Sequence, residues 1–241
     1  MISCDHDAEP NLYTMNRLKK ITLIVLIAIT GYLAVGYLLH LVVFPEKKSE
    51  ISDYFHKRHE FKSEAEGFYQ EVVAQQDGLV YCNLVVSPFA PGPPKHIHTG
   101  FDEYFEVQNG ELSVWVDGDI KRVKPGEVVH IPKGTPHQPF NETADTIYLK
   151  ESFAMPEKFA FHLSQIYGLM DHHPNFGQMP AMVFMLAPLH VAGFDSFLYE
   201  GPPVFIQKLS SYLMTPIARL MGYKSYYEQY DVRRKDGTGG R

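Results

Sequence analysis

The first strong pattern is an apolar run, ITLIVLIAITGYLAVGYLLHLVVF, at residues 21–44, which contains no Asp, Glu, Lys or Arg. As a helix rising about 1.5 Å per residue it would reach about 36 Å, enough to cross a hydrocarbon core of about 30 Å with some tilt. A cleavable signal peptide is the alternative, but such a peptide has a shorter apolar core and a small-residue cleavage site. The run leaves through HLVVFPEKK, which has no such site. We therefore predict a single-pass transmembrane helix.

Charges around this run indicate its orientation. Residues 1–20 form a polar, basic leader, and residues 45–67 read as a charged linker or short helix. Basic residues are denser just before the run than just after it, which favours an N-terminus inside and a main domain on the extracytoplasmic side.

Strand patterns dominate residues 68–153. LVYCNLVV at 79–86 is rich in β-branched and aromatic residues, and the proline-rich loop at 87–94 cannot be helical. Asn109-Gly110 and Asp117-Gly118 each lie between strand-like runs and favour tight hairpin turns. Short strands are predicted to follow at 127–131, 138–141 and 146–153. This spacing is typical of an antiparallel sandwich or barrel.

The pattern becomes helical after the barrel, over residues 154–230. Phe159, Leu163, Ile166 and Met170 are spaced for one face of a helix, and Pro156 suits its first turn. This predicts a partly helical C-terminal extension.

The rest of the extension is less regular. The apolar stretch 181–194 is too short for a membrane span and suits a buried or interfacial segment, although a second membrane segment over 181–199 remains open. Thr215-Pro216 predicts the cap and first turn of a last short helix that ends near Gly222. The polar tail at 231–241 is expected to be disordered.

Composition excludes some classes of function. The chain has 241 residues and a net charge of −6, and it carries no helix-turn-helix, zinc-finger or RNA-binding signature. We expect no nucleic-acid partner. Its two cysteines, Cys4 and Cys82, do not form a disulfide framework.

One polar constellation carries candidate chemistry. His96 and His98 are two residues apart, so on a strand both imidazoles point to one face. Glu103 follows a turn and can join them from the next strand. His137 begins a later strand that the hairpin order brings close to the first.

Such a mixed nitrogen and oxygen set suits a divalent metal: Fe, Mn, Ni, Zn or Cu. Each residue taken alone has an ordinary alternative as a solvated or loop side chain. The combination is what favours a metal site.

These residues also resemble the two motifs of the cupins. The first motif is a glycine, then His-x-His, Glu and Gly; the second is Gly, Pro-x-Gly, His and Asn. They match Gly92, His96, His98, Glu103 and Gly110, and then Gly126, Pro132, Gly134, His137 and Asn141. Gly92 is closer to His96 than the pattern asks. The resemblance covers roughly residues 68–153 and implies a mainly β, double-stranded β-helix or jelly-roll barrel. It also implies that His96, His98, Glu103 and His137 are the metal ligands and that the protein is a homodimer.

The resemblance implies a fold more sharply than a reaction, because cupins include dioxygenases, oxalate-degrading enzymes, isomerases, lyases and proteins that only bind small molecules. We expect the substrate pocket to include Phe105, Val107, Trp115 and Phe140, a largely apolar set that favours a small organic substrate. No basic residue of the core strands is placed to bind a phosphosugar.

Three functions stay open from the sequence. The first is a membrane-anchored, metal-dependent enzyme of the oxygenase type. The second is a binding or sensory module that captures a small-molecule ligand without turnover. The third is an accessory protein of a membrane complex.

Overall fold

The structure, a computed structural model, describes residues 12–43, 45, 50–173 and 176–234. The chain forms two compact units, residues 1–45 and 46–241, which are described separately.

The first unit is a single helix, α1 (Leu12–Val42). Its segment Asn16–Val42 is long and apolar enough to cross a membrane, a property that an N-terminal signal sequence shares. The helix begins inside the stretch expected to be a leader, because residues 12–20 continue the helical geometry. Phe44, the last residue of the predicted span, lies outside the described residues.

Among the described residues of the second unit, eleven strands form three antiparallel sheets. The first sheet has the order β1-β2-β3-β10, the second β11-β4-β9-β6-β7, and β5 pairs with β8. The strands are β1 (Glu60–Ser63), β2 (Phe68–Gln76), β3 (Leu79–Val86), β4 (His96–Ile97), β5 (Glu103–Glu106), β6 (Leu112–Val116), β7 (Asp119–Val123), β8 (Val128–Ile131), β9 (His137–Phe140), β10 (Ile147–Pro156) and β11 (Phe197–Leu198).

The predicted strand 79–86 is confirmed, and its alternation explains the core. Val80, Cys82, Leu84 and Val86 are all buried, while the residues between them are half-exposed. Because successive side chains of a strand point to opposite faces, one face of β3 packs inside the barrel. Burying each large aliphatic side chain contributes about 1.5–3 kcal/mol to folding.

The two predicted turns have different outcomes. Asp117-Gly118 closes the β6–β7 hairpin with positive φ values of 47° and 107°, as predicted. The Asn109-Gly110 hairpin is wrong, because β5 pairs with β8 and β6 pairs with β7 and β9. Asn109 instead bridges Tyr148, and a Cβ on Gly110 (φ +88°) would lie 3.0 Å from the Cγ1 atom of Ile147. This glycine lets the chain cross from one sheet to another against β10.

The barrel begins earlier than predicted, within the stretch 45–67 that was interpreted as a linker. Tyr54 and Phe55 are buried in the core, and strand β1 extends the first sheet. The many charged residues of this stretch made it look like a linker, although the aromatic residues among them face inward. The last strand also continues beyond 153, to Pro156.

Three helices follow the barrel: α2 (Glu157–His172), α3 (Ala181–Ala192) and α4 (Val204–Leu220). Helix α2 contains the four residues that were predicted to share one helical face, so this prediction is confirmed. Helix α3 has 12 residues, too few for a membrane span.

The predicted cap at Thr215-Pro216 is wrong, since both residues lie inside α4. The Thr215 hydroxyl donates to the carbonyl of Ser211 (2.7 Å), and both Thr215 and Pro216 are buried. Packing of this segment therefore holds the helix together through a proline that would otherwise end it.

The expectation of a disordered tail fails for its first residues. Asp231 and Val232 are buried, and residues 232–234 form a 3-10 turn. The carboxylate of Asp231 accepts hydrogen bonds from the hydroxyls of Tyr54 (3.0 Å) and Tyr226 (2.6 Å) and pairs with Arg233 (2.7 Å). Residues 235–241 lie outside the described residues.

Candidate metal centre

The structure brings the four predicted ligands together. One ligand atom from each of His96, His98, Glu103 and His137 lies within 4.8 Å of all the others, and all four residues are buried. His96 on β4 stands directly opposite His137 on β9, and Glu103 is the first residue of β5. The cluster therefore draws its ligands from two neighbouring strands of one sheet, the turn after β4, and a strand of another sheet.

Backbone carbonyls fix the orientation of all three imidazoles. The Nδ1–H groups of His96 and His137 donate to the carbonyls of Pro94 (2.8 Å) and Thr135 (3.0 Å), and that of His98 donates to the carbonyl of Asp195. Since a carbonyl can only accept, each Nδ1 carries a proton. The Nε2 atoms then face the centre, as in metal-binding histidines whose other nitrogen is held by an outer partner.

The inner atoms of the cluster fit a cation. Nε2 of His137 lies 2.8 Å from Oε2 of Glu103, and Nε2 of His96 lies 3.2 Å from Nε2 of His98. With each Nδ1 protonated, all of these inner atoms are hydrogen-bond acceptors, and no donor lies between them. Both Nε2 of His137 and Oε2 of Glu103 are buried without a properly directed hydrogen bond. A metal cation, or a proton held on His137, satisfies them both. The donor set of three imidazoles and one carboxylate suits a transition metal.

Electrostatics keep most of the ligands ready to bind metal at neutral pH. Burial and the neighbouring histidines lower the pKa of His96, and burial lowers the pKa of His98, so both are neutral. Burial acts to raise the pKa of Glu103, but the close contact with His137 and the charges of the three histidines outweigh it and lower the pKa to about 2. Burial also acts to lower the pKa of His137, and contact with Glu103 outweighs it and raises that pKa. Metal and proton therefore compete at His137.

The C-terminal extension holds one of the ligands, a role that the sequence did not reveal. Asp195, between α3 and β11, accepts hydrogen bonds from the backbone N–H groups of Thr99 (2.8 Å) and Gly100 (2.6 Å) and from the Thr99 hydroxyl (2.7 Å). Its own carbonyl binds Nδ1 of His98. Asp195 thus fixes both the His98 ring and the turn that follows it.

The motif turns have the geometry that their residue types suggest. Gly126 and Gly134 both have φ of +84°. Asn141 is buried, and its side-chain amide donates to the carbonyls of Ser87 (2.8 Å) and Asp145 (2.7 Å). Pro132, by contrast, is exposed at the end of β8.

The four predicted pocket residues do not share one surface. Phe105 and Val107 are buried in the barrel core, where the Phe105 ring stacks on Phe153. Phe140 is half-exposed on a strand whose positions alternate from buried His137, and Trp115 pairs with half-exposed Gln138 on that same outer face, so both face away from the cluster. None of these four lines the cavity that reaches the cluster.

That cavity has a volume of about 230 Å³ and lies against the C-terminal helices. One of its lining residues is His96, so it reaches the candidate metal centre. The α2 face predicted from the sequence forms part of its wall. The apolar lining residues are Pro93, Pro94, Phe159, Leu163, Ile166, Met170, Phe176, Met179, Met182, Val183, Leu186, Phe194, Leu198 and Pro202.

Polar residues of the cavity are fewer, and the sequence reasoning missed the most unusual one. Glu66 is a lining residue with only 6% of its surface exposed, yet it lay in the predicted linker and carried no motif. His190, which is half-buried, also lines the cavity. Its ring nitrogens contact the Ser211 hydroxyl (3.0 Å) and the Ser196 carbonyl (3.1 Å).

Curated relatives match parts of this chain. "Oxidoreductase iacF" of Pestalotiopsis fici is 46% identical over 48 residues, which are 20% of this chain and 24% of that protein. "Probable oxidoreductase virH" of Hypocrea virens is 27% identical over 164 residues, 61% of this chain and 72% of that protein. "Probable oxidoreductase patJ" of Penicillium expansum is 40% identical, over 29% of this chain and 23% of its own length. The chain thus spans about a quarter of the iacF and patJ proteins.

Solved structures include similar folds at low overall similarity. TT1209 from Thermus thermophilus is 21% identical over 45% of this chain and 94% of its own, with a TM-score of 0.34. The family described as "Cupin domain" matches residues 84–149, a range that contains all four candidate ligands. Together with the antiparallel strands that surround those ligands, this match establishes that the chain contains a cupin domain.

Proposed function

We propose that this protein is a membrane-anchored, metal-dependent oxidoreductase of the oxygenase type that acts on a small, largely apolar organic molecule. The observation that carries the proposal is the position of His96, which belongs to the candidate metal cluster and also lines the apolar cavity. A molecule in that cavity would therefore lie against the metal centre.

Three relatives carry the word oxidoreductase in their names, which supports this class of reaction. The relative with the longest match among them, virH of Hypocrea virens, aligns with 61% of this chain. Its match is too long to be confined to residues 84–149, so the likeness extends beyond the cupin domain.

The chain's own residues would divide the work as follows. His96, His98, Glu103 and His137 would hold a divalent metal, with Pro94, Thr135 and Asp195 fixing the rings. When bound, an iron or manganese ion at such a site supplies Lewis acidity and oxygen activation, whereas zinc or nickel supplies Lewis acidity alone. The apolar walls from α2 and α3 would exclude water from the bound molecule.

The lining of the cavity limits the substrate. Among the described lining residues there is no Lys or Arg, so a phosphate or a second carboxylate would lack a counter-ion. A volume of about 230 Å³ is below the usual range of about 300–1,000 Å³ for ligand pockets. We therefore expect a small, neutral molecule.

Oxygen consumption tests the reaction class. The full chain, purified in detergent and stripped of metal, would be loaded anaerobically with Fe(II), Mn(II), Ni(II) or Zn(II) and mixed with small aryl ketones, phenols and aldehydes. We expect oxygen uptake with iron or manganese, no uptake with zinc, and loss of uptake in His137→Ala. Saturable binding of these molecules with no uptake under any metal would contradict the oxidoreductase and leave the binding module as the better account.

A further inference from the structure

Glu66 is the one acidic residue among the described residues that line the cavity. Its side chain is buried, and His96 lines the same space. A carboxyl group in an apolar wall needs a specific reason, because burying it costs free energy unless it is paired or neutral.

The backbone around Glu66 is tightly held. Its N–H group donates to the Ser63 hydroxyl (3.1 Å), and its carbonyl accepts from the N–H of Gly92 (3.1 Å). Gly67 has a φ of +73°, and a Cβ there would lie 2.6 Å from that of Ala90. The turn between β1 and β2 can therefore take one shape, which directs the Glu66 side chain inward.

A hydrogen-bonded chain supports the carboxyl group from behind. The Gln70 amide donates to the Tyr167 hydroxyl (3.3 Å), and the Tyr167 hydroxyl in turn interacts with the Glu66 side chain. Tyr167 lies on α2 and is buried. Because Glu66 also lines the cavity, a bound molecule can meet its carboxyl group.

Burial favours the neutral form of Glu66. Burial raises its pKa to about 8; the bond from Tyr167 opposes this shift, and the charge of Asp171 adds to it. Asp171 lies on α2, and its carboxylate is fixed by the backbone N–H groups of Glu64 (2.9 Å) and Ala65 (3.2 Å). A neutral carboxyl group carries an O–H donor, which a carboxylate lacks.

We propose that Glu66 donates a hydrogen bond to an oxygen acceptor of the molecule bound in the cavity, so that the preferred ligand is neutral, apolar and carries a carbonyl or ether oxygen at the end that meets Glu66. This deepens the proposed function by naming a class of ligand, and it rests on that function only for the role of the metal. Carboxylates are disfavoured there, because no Lys or Arg among the described lining residues would pair with a bound anion.

The test compares two molecules of the same shape. Butyrophenone and butylbenzene differ by a carbonyl in place of one methylene, and 4-phenylbutanoate adds a charge. Their affinities would be measured by calorimetry on the full chain in one detergent, first with metal removed by a chelator and then with zinc. Each probe partitions into detergent to the same extent with every protein variant. This effect therefore cancels when the preferences of two variants are compared.

We expect metal-free wild type at pH 6 to bind butyrophenone about five-fold more tightly than butylbenzene, the size of one hydrogen bond. The preference should vanish at pH 9.5, where Glu66 is ionised. Glu66→Ala should lack the preference at both pH values, while Glu66→Gln should keep it at both, since an amide N–H replaces the acid. Asp119→Ala, on the exposed face of β7 and outside the cavity lining, should behave as wild type.

The pH dependence identifies the group. Tyr167 faces Glu66 from α2 with a raised pKa, and His190 on α3 has a pKa lowered by burial to about 4. His96 on β4 has a lowered pKa, and Asp171 is the remaining charged group. A pH-dependent preference that persists in Glu66→Gln would overturn the proposal.

The outcomes separate this proposal from the proposed function. An equal preference in wild type and Glu66→Ala contradicts the role of Glu66, whatever the oxygen uptake. A preference that depends on Glu66, in a protein with no oxygen uptake, leaves the ligand class standing and removes only the oxidoreductase. Should Glu66→Ala fail to fold, the comparison of wild type with Glu66→Gln at two pH values decides alone.

Discussion

Individual residues outside the cupin motifs support the candidate metal centre. The ligands themselves could be predicted, because His-x-His, Glu and a later His follow a fixed spacing. Asp195 could not, because it follows a helix about a hundred residues further along and has no local pattern. Glu66 could not, because a glutamate beside a glycine usually marks a solvated turn. Residues that position a site are set by tertiary contacts, whereas its ligands are set by strand geometry.

Asp195→Ala should weaken metal binding without removing any ligand. The change deletes three hydrogen bonds to the turn after His98, so this turn and the Asp195 carbonyl that holds the His98 ring are fixed less firmly. Loss of an outer partner of this kind typically lowers affinity about 10–100-fold. Zinc affinity measured by competition with a chelator checks this, with Asp119→Ala on the exposed face of β7 as the control. Equal affinities in the two variants would contradict the role of Asp195.

Glu66 should make folding stability depend on pH. Its folded pKa of about 8 exceeds its usual value of 4.5, so the folded state holds a proton that the unfolded state releases between these values. The contribution is therefore complete below pH 4.5 and is lost as the pH rises to 8, at about 1.4 kcal/mol per unit of pKa shift.

Denaturant unfolding followed by Trp115 fluorescence measures this effect. Glu66→Gln does not titrate, so wild type should lose stability relative to that variant between pH 5 and pH 8.5. A constant difference across this range would show that Glu66 is ionised in the folded protein.

Where one face of an element is buried, its hydrophobic periodicity predicted the correct type of element. The alternation of β3 and the 3.6-residue spacing of α2 both gave the correct element. The Asn109-Gly110 turn failed because such a dipeptide specifies a tight turn but not which strands pair. Thr215-Pro216 failed because packing within α4 overrode a local stop signal. Element type is thus a local property, and pairing and length depend on the rest of the fold.

The last described segment should contribute to stability through Asp231. This carboxylate holds Tyr54 and Tyr226 together, and the hydrogen bonds from Arg233 and Tyr226 lower its pKa although burial opposes them. Asp231→Asn should destabilise the fold by about 1.5–3 kcal/mol at pH 7, since charge-assisted hydrogen bonds are replaced by neutral ones.

The sign of the pH effect follows from the lowered pKa. The Asp231 contribution is present above pH 3.8 and is lost as the pH falls towards its folded pKa, so the variant and wild type should converge in acid. Urea unfolding at pH 7 and pH 3 checks this. Asp145→Asn, on an exposed loop residue, serves as the control. A difference that stays constant with pH would contradict the account.

The whole chain joins a cupin domain to three helices that were predicted only in part. Residues of α2, α3 and the segment around Asp195 meet the barrel at His96, so the cavity exists only when these distant parts of the chain pack together. No single stretch of sequence contains that information, which is why the predicted pocket residues were placed within the barrel. The family motifs contain the candidate ligands, whereas residues of the C-terminal extension form most of the cavity wall.

The proposed membrane anchor makes a prediction for the mature protein. If α1 is retained, the protein should stay in the membrane pellet after alkaline carbonate treatment and should keep residues 16–42 when its intact mass is measured. A variant with three leucines of α1 changed to aspartate should appear in the soluble fraction. A mature mass that lacks α1 would show that the helix is a cleaved signal sequence.

Metal content tests the central claim most directly. The full chain, purified without a polyhistidine tag, would be analysed by elemental mass spectrometry beside a His96→Ala/His137→Ala double variant, before and after incubation with Fe(II), Mn(II), Ni(II) and Zn(II). The account predicts close to one transition-metal ion per chain in wild type and almost none in the double variant. Wild type that neither carries nor takes up any of these ions, in a folded state, would contradict a metal centre at this site.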